Sequence, residues 1–441
     1  RAWQMTKRFQ SLHVALLSAE YPPQPGGIGD YTQQLGEALV ARGHTVHVFT
    51  IADSRLRIVD LTRPERNLQS AMYHLQSDWG FRSWRAISTA LAATRPDVLH
   101  IQYQTGAYNM HPAINLLPWW LRRALHRPAT AVTMHDLLLP YLFPKAGPAR
   151  RWVTQRLMRD VDAVVVTNEE DYEQITDERR MTNDERLHAR SSFHSSIVHR
   201  PSSTLTLIPI GSNIPVAPPP GFDRDAWRAR LHVHADETLI AYFGLLGRSK
   251  GVDVIVRALA QLPPSARLLL VGGEATTPQD RAYAVEVEQL VDDLGFHERI
   301  IRTGHCAPAE VSAYLLAADM AALPFTDGAS FRRGSLLAAL AHGLPTITTT
   351  DEGRRTTKDD GRWTDDGGQN LNLQSAICNL QSSALLVPPN EPAALAAAIR
   401  RLMDDAELRE RLGAAGRTLT AQFGWESIAE RHEALYQMIV K

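Results

Sequence analysis

Cysteine is nearly absent from this chain. Two residues, Cys306 and Cys378, exclude a disulfide framework and a four-cysteine zinc site. Neither sign of charge is in excess, the formal net charge being −1. That argues against a bulk basic surface for nucleic acid, so no nucleic-acid partner is expected. Long apolar runs are missing too, and the longest falls far short of a membrane-spanning helix. Residues 1–10 are polar and offer no apolar signal segment, so a reducing cytoplasm is the expected setting. The dinucleotide fingerprint Gly-x-Gly-x-x-Gly does not match the glycine cluster that follows the first strand-like run. What remains is a chain of 441 residues, 44% hydrophobic and 22% charged, ordinary for a soluble protein of two or three domains.

Short apolar runs at 12–18, 45–51, 97–102, 129–134 and 161–167 read as strands. Between the first two, Tyr31, Leu35, Ala38 and Leu39 share one helical face. Asp30 is placed to cap that helix and Gly43 to end it. The pattern then restarts. Strands are expected at 238–244, 267–272, 300–303, 320–324 and 346–349, with helices at 252–262 and 282–294. Strands alternating with helices predict parallel sheets covered on both faces, so the fold class is α/β with two such domains. The run Pro218, Pro219, Pro220 places the linker within 209–223. Residues 425–440 read as a closing helix with Ile428, Leu435, Met438 and Ile439 apolar.

Three stretches break this pattern and read as insertions, near 62–80, 176–203 and 352–383. Residues 67–77 nearly recur as 372–382, with eight of eleven positions identical. The copies fall in different domains, unlike a solenoid repeat of fixed period. They read as a translated repeat that settled in tolerant surface loops. The stretch 176–203 holds Asp-Glu-Arg twice and a Ser/His-rich run, where nothing fixes His194 and His199 as a metal pair. Mobile loops without chemistry are expected for all three.

Open α/β sheets bind ligands at the carboxyl ends of their strands, and the chemistry-bearing residues sit there. From Asp327 to Pro345, a polar loop with Ser330, Phe331, Arg332, Arg333 and Gly334 runs into a short apolar helix. Gly343 and Pro345 should end that helix. Loop amides at a helix N-terminus beside two guanidinium groups suit a phosphate; the plainer alternative is a loop with solvated arginines. Upstream, Gly244 closes a strand and Gly247, Arg248, Ser249, Lys250 and Gly251 precede a helix. Lys250 and Arg248 could neutralise a diphosphate leaving group, or simply be solvated. Gly26, Gly27, Ile28 and Gly29 follow the first strand and admit close approach of a ligand to the backbone, or form a tight turn. His135 directly follows the strand at 129–134. It could donate a hydrogen bond to a substrate or stabilise developing charge, though a lone histidine is as often structural. Trp119, Trp120, Arg122 and Arg123 fit either a helix packing its tryptophans inward or a peripheral contact with an anionic membrane.

Taken together, these residues resemble the retaining glycosyltransferases of family 4. The likeness is carried by the stretch from Pro25 to Tyr31, by Thr133-Met134-His135-Asp136, and by Ile208-Pro209-Ile210-Gly211. It continues in Phe243-Gly244 through Lys250-Gly251-Val252-Asp253, Leu270-Val271-Gly272-Gly273 and Leu323-Pro324. It ends with Leu386-Val387-Pro388-Pro389 and Phe423-Gly424-Trp425. Their order and spacing carry it rather than any one motif.

The resemblance implies the GT-B fold, two Rossmann-like parallel-sheet domains facing a central cleft. It implies an N-terminal acceptor domain over 11–210, a nucleotide-sugar donor domain over 211–423, and a C-terminal helix, 424–441, crossing back to the first domain. By the same likeness Gly26, Gly27, Ile28 and Gly29 would line the donor phosphate or the acceptor. His135 would contact the transferred sugar and Lys250 the diphosphate. Gly244, Ser330, Phe331, Arg332, Arg333 and Gly334 would bind the donor. Two features depart from the family. Leu245 stands where many members have an arginine, and Ser330 and Ala338 stand where they have two glutamates. Arg248, Arg332 and Arg333 are expected to carry the phosphate charge instead.

The expected function is transfer of a hexose from a nucleoside-diphosphate sugar to an acceptor hydroxyl, with retention, through an oxocarbenium-like transition state. A role in cell-surface polysaccharide or glycolipid synthesis is expected, in the cytoplasm or peripherally at the inner membrane face. No carboxylate nucleophile stands out, which fits front-face displacement. No metal and no cofactor is expected, the nucleotide sugar being a substrate. The acceptor stays open between a glycan, a lipid-linked molecule and a small molecule. Two alternatives stay open as well: a catalytically weak sugar-nucleotide-binding protein, and a nucleotide-sugar epimerase or phosphorylase on the same fold.

Overall fold

A computed structural model describes residues 10–24, 26–52, 55–62, 79–104, 106–109, 111–124, 127–135, 137, 147–180, 203–212, 214–272, 278–331, 333–350 and 380–440. The chain divides into two units, Arg1–Gly211 with Trp425–Lys441, and Ser212–Gly424.

The first unit is built on seven strands: β1 (His13–Ser18), β2 (Thr45–Ala52), β3 (Arg55–Asp60), β4 (Val98–Tyr103), β5 (Ala129–Met134), β6 (Ala163–Val166) and β7 (Thr204–Leu207). Their order is β3-β2-β1-β4-β5-β6-β7, and among the described residues only β3 runs antiparallel to its neighbour. Helices α1 (Gly27–Ala41), α2 (Ser83–Thr94), α3 (Ala113–Leu121), α4 (Gly147–Asp160) and α5 (Glu169–Arg180) connect them. Side chains of a strand alternate between faces, and both faces here are apolar. Leu17, Ile101, Val132 and Val164 belong to one core cluster, and Leu16, Val98, Ala131 and Val165 to another. The closing helix Trp425–Ile439 adds Ile428, Ala429, Leu435 and Tyr436 to the second cluster, beside Tyr31, Leu35 and Leu39 of α1. Arg42 and the nearly buried Glu433 pair at 2.6 Å at its far end. In register, Ser18 pairs with Gln102 and Tyr103 with Met134, so the loops after β1, β4 and β5 leave one edge of the sheet together.

The second unit has six parallel strands: β8 (Thr238–Phe243), β9 (Ala266–Val271), β10 (Ile300–Gly304), β11 (Met320–Leu323), β12 (Thr346–Thr349) and β13 (Ala384–Val387). The order is β10-β9-β8-β11-β12-β13. The order of strands therefore reverses between β8 and β11, the switch point where doubly wound sheets open a crevice. Helices α6 (Arg224–Arg230), α7 (Val252–Leu259), α8 (Pro278–Leu294), α9 (Pro308–Ala317), α10 (Gly334–Ala341), α11 (Pro392–Asp404) and α12 (Ala406–Thr420) complete the unit.

Several details differ from expectation. Gly26, not Asp30, is the cap residue of α1; Asp30 lies in its first turn, where a carboxylate suits the positive end of the helix. β3, β7 and β13 carry too few residues, or too many charges, to stand out as apolar runs. The stretch 176–203 begins inside α5, and residues 181–202 lie outside the described residues. The first repeat copy and the second as far as 379 also lie outside, while Leu380 is helical and buried.

Candidate active site

At the switch point of the second unit, the loops after β8 and β11 are joined. The Thr326 amide donates to the Ser249 carbonyl at 3.1 Å. Gly251 has a φ of +66°, and a Cβ there would run into the Pro324 carbonyl oxygen. Only glycine lets the two loops close up in this way. The Lys250 ammonium lies 5.4 Å from the centre of the Phe325 ring, and the Arg333 guanidinium 4.2 Å from the same ring. Phe325 itself is fully buried. Arg333 also forms an ion pair with Asp327. Burial lowers the Lys250 pKa, the Arg333 charge lowers it further, and Asp327 opposes both. Two cations are thus held beside one another at the carboxyl edge of the sheet.

Arg333 is also the cap residue of α10, and its side chain makes no capping hydrogen bond to that helix. The Ser330 carbonyl accepts the Arg333 amide at 3.0 Å. Phe331 stacks on Phe423, with ring centres 5.0 Å apart, which anchors the loop that leads to Gly334. Ala338 is wholly buried on α10. Arg248 is the other cation that the sequence offers in this loop. Its guanidinium instead meets both carboxylate oxygens of Glu286 at 2.7 Å, in an exposed pair, so its charge is already engaged there. Arg332 lies outside the described residues. Gly244 turns the chain out of β8 with a φ of +146°, and the next residue, Leu245, is exposed.

In the first unit, the His135 amide donates to the Tyr103 carbonyl at 3.0 Å, carrying the β4–β5 pairing one residue past the strand. Its Nε2 lies 3.1 Å from Gln102 Oε1, and its ring meets the Tyr31 ring edge-on at 4.9 Å. Burial, and then the His432 ring, push the His135 pKa down to about 3. The imidazole is therefore neutral at ordinary pH, so it acts through hydrogen bonds and not as a full positive charge. Under it lies a polar seam. His100 Nε2 meets Thr133 Oγ1 at 2.8 Å, and His100 Nδ1 meets the Tyr436 hydroxyl at 2.6 Å. His432, 5.4 Å from His100 between ring centres, bonds the Ile428 carbonyl at 2.8 Å.

The loop of Gly26, Gly27, Ile28 and Gly29 opens α1, but an anion is already there. A Cβ at Gly26 would collide with the Glu20 carboxylate, which is hydrogen-bonded to the Ile28 backbone. Burial raises the Glu20 pKa, the Ile28 bond lowers it, and Asp30 raises it further. A phosphate at this helix end would meet that carboxylate; a sugar hydroxyl would find an acceptor. Gly27 has open space beside it. Sequence reasoning missed Glu20 and Gln102. Both had a signal, since Gln102 ends the expected strand at 97–102 and Glu20 closely follows β1.

The tryptophan stretch lies in α3. Trp120 stacks on Trp84 at 5.3 Å and packs on the core, while Arg123 covers the Trp119 ring at 4.3 Å. Among the described residues, no three His, Cys, Asp or Glu side chains gather as a metal group, and no helix is long and apolar enough to cross a membrane.

Comparison with known proteins decides the family. Residues 26–188 match the model of the glycosyl transferase 4-like domain, and residues 237–405 that of glycosyl transferases group 1. The chain is a family 4 glycosyltransferase of the GT-B fold. A D-inositol 3-phosphate glycosyltransferase of Xylanimonas cellulosilytica is 24% identical over 98% of this chain and 96% of its own. Another, from Kineococcus radiotolerans, is 30% identical, over 54% of this chain and only 52% of that relative. Among solved structures, sucrose-phosphate synthase from Thermosynechococcus elongatus superposes with a TM-score of 0.63 at 24% identity, covering 97% and 98% of the two chains. HepE of Anabaena, in complex with UDP-glucose, gives a TM-score of 0.60 at 16% identity, covering 97% and 100%. These likenesses show the two Rossmann-like parallel sheets of GT-B. The glycosyltransferase carries its paired cations in the unit that matches the group 1 model, and His135 in the other.

Proposed function

We propose that this glycosyltransferase moves a hexose from a nucleoside-diphosphate sugar to an acceptor hydroxyl, with retention at the anomeric carbon and without a metal ion. The placing of Lys250 and Arg333 over one ring is the observation that carries this. Cations fixed beside a leaving diphosphate stabilise charge that grows in the transition state and require no reorganisation then. Arg333 takes the part of the arginine that Leu245 replaces, with the α10 amides beside it; Arg248, held by Glu286, has a lesser share. Ser330, Phe331, Gly334 and Gly244 shape the rest of the donor site. Solved neighbours in complex with UDP and UDP-glucose support a uridine nucleotide as the donor.

On the acceptor side, Glu20 accepts a hydroxyl and His135 meets the transferred sugar as a neutral imidazole. A carboxylate at the α1 N-terminus suits a neutral glycan or glycolipid better than a phosphorylated polyol, although the relatives are named for inositol phosphate. A cytoplasmic enzyme of cell-surface glycan or glycolipid synthesis fits. Peripheral membrane contact would use the exposed Trp152 and Arg159 on α4, with Arg123 just past the end of α3. Sedimentation with phosphatidylglycerol vesicles, compared with Trp152→Ser, tests that face.

The function is tested by incubating the protein with UDP-glucose and, separately, with a glucan oligosaccharide, a glycolipid extract, inositol and inositol 3-phosphate. Proton NMR of the product reads the anomeric configuration. An α-linked product on a neutral acceptor is expected. A β-linked product ends the retaining assignment, and transfer to inositol 3-phosphate alone ends the acceptor assignment.

A further inference from the structure

We infer that Gln102 is a positioning residue that holds His135 in its Nε2–H tautomer, leaving Nδ1 as a hydrogen-bond acceptor toward a substrate hydroxyl. This rests on the proposal that His135 meets the substrate. Gln102 lies on β4, hydrogen-bonded on one side to β1 and on the other to β5, so its backbone has no freedom to shift. The Tyr108 hydroxyl bonds the Gln102 carbonyl at 2.9 Å and the Leu17 carbonyl at 3.2 Å, which locks the residue further. The side chain is fully buried and presents Oε1 to His135 Nε2 at 3.1 Å. A carbonyl oxygen only accepts, so the ring nitrogen facing it must carry the proton. A neutral imidazole has one N–H, and the other nitrogen is then a lone pair.

The amide nitrogen of Gln102 is buried and makes no hydrogen bond among the described residues. A buried donor left without an acceptor is uncommon and calls for one. An oxygen brought by substrate or water would complete it. Turning the amide over would present its N–H to the ring and force the proton to Nδ1. The two arrangements therefore give His135 opposite hydrogen-bonding faces. In the arrangement found here, His135 accepts from a hydroxyl and does not donate to an oxygen. This reverses the donor role that its position in the sequence suggested.

The test uses the full chain labelled with 15N-histidine. Long-range proton–nitrogen correlation spectra identify the tautomer, and loss of the signal in His135→Gln assigns it. A single Nε2–H pattern from pH 5.5 to 8.5 is expected; an Nδ1–H pattern or a tautomer mixture overturns the inference. In Gln102→Leu, the tautomers should mix and kcat should fall about tenfold or more, with the donor KM nearly unmoved. In Gln102→Glu, the carboxylate restores the acceptor but favours imidazolium. kcat/KM should then gain an acid limb, falling as pH drops through the raised His135 pKa, because imidazolium has no lone pair. A Gln102→Leu protein that keeps one tautomer and full kcat also overturns it. Because the wild-type spectrum needs no turnover, one Nε2–H tautomer in a chain that transfers no sugar would uphold the assignment and defeat the proposed function instead.

Discussion

Lys250 and Arg333 both lie against one buried ring, Phe325, at 5.4 and 4.2 Å from its centre. Burial lowers the Lys250 pKa, the Arg333 charge lowers it further, and Asp327 offsets only part of this. A diphosphate would relieve both. Charge-assisted bonds of this kind contribute about 1.5–3 kcal/mol each. Lys250→Ala and Arg333→Ala should each weaken UDP binding by roughly 10- to 100-fold by titration calorimetry. Arg248→Ala should change it by less than about threefold, since its partner is Glu286 in an exposed pair. Equal losses for Arg248 and Arg333 would contradict this division of roles.

Gly251 and Gly27 should respond in opposite ways to alanine. At Gly251, the positive φ and the Pro324 carbonyl both oppose a side chain, so Gly251→Ala should lose about 2 kcal/mol or more in a thermal melt. Gly27 opens α1 with free space around it. Gly27→Ala should leave stability unchanged or raise it, by at most about 0.4–1 kcal/mol, with Tm equal or higher, while raising the acceptor KM if the acceptor closes on that turn. A lower Tm in Gly27→Ala would show that the space is not free.

The fold was legible in the sequence because parallel strands buried on both faces are continuous apolar runs, as at 163–166 and 268–271. What escaped were elements whose signal is weak. β3 is charged and alternating, and β7 and β13 have four residues each. Position along the chain put Lys250, Arg333 and His135 in segments that follow strands, and the fold places them there. Direction could not be read. Arg248 and Arg333 look alike in sequence, yet one meets Glu286 and the other Phe325, because partners come from α8 and from the β11 loop. Glu20 lay unnoticed beside glycines that seemed made for phosphate.

The buried histidines make the first unit sensitive to acid. Burial lowers His432 to about 4, His135 to about 3 and His100 well below its ordinary 6.5. Below pH 6.5, the unfolded chain takes up protons that the folded chain refuses. Stability is therefore full above pH 6.5 and lost as pH falls toward 4, by up to about 1.4 kcal/mol per pH unit for each histidine. Tm should fall from pH 7.5 to 5.0, and less steeply in His432→Gln. Parallel slopes for the two proteins would mean that His432 is not held neutral.

Nucleoside-diphosphate release tests the central claim most directly. The protein, treated with EDTA, would be incubated with UDP-, GDP-, ADP- and dTDP-sugars and a mixed pool of glycan and glycolipid acceptors. Release from a uridine donor, unchanged by EDTA and lost in both Lys250→Ala and Arg333→Ala, is the predicted result. Release that needs added Mg²⁺ or Mn²⁺, or that persists in both variants, would contradict the account.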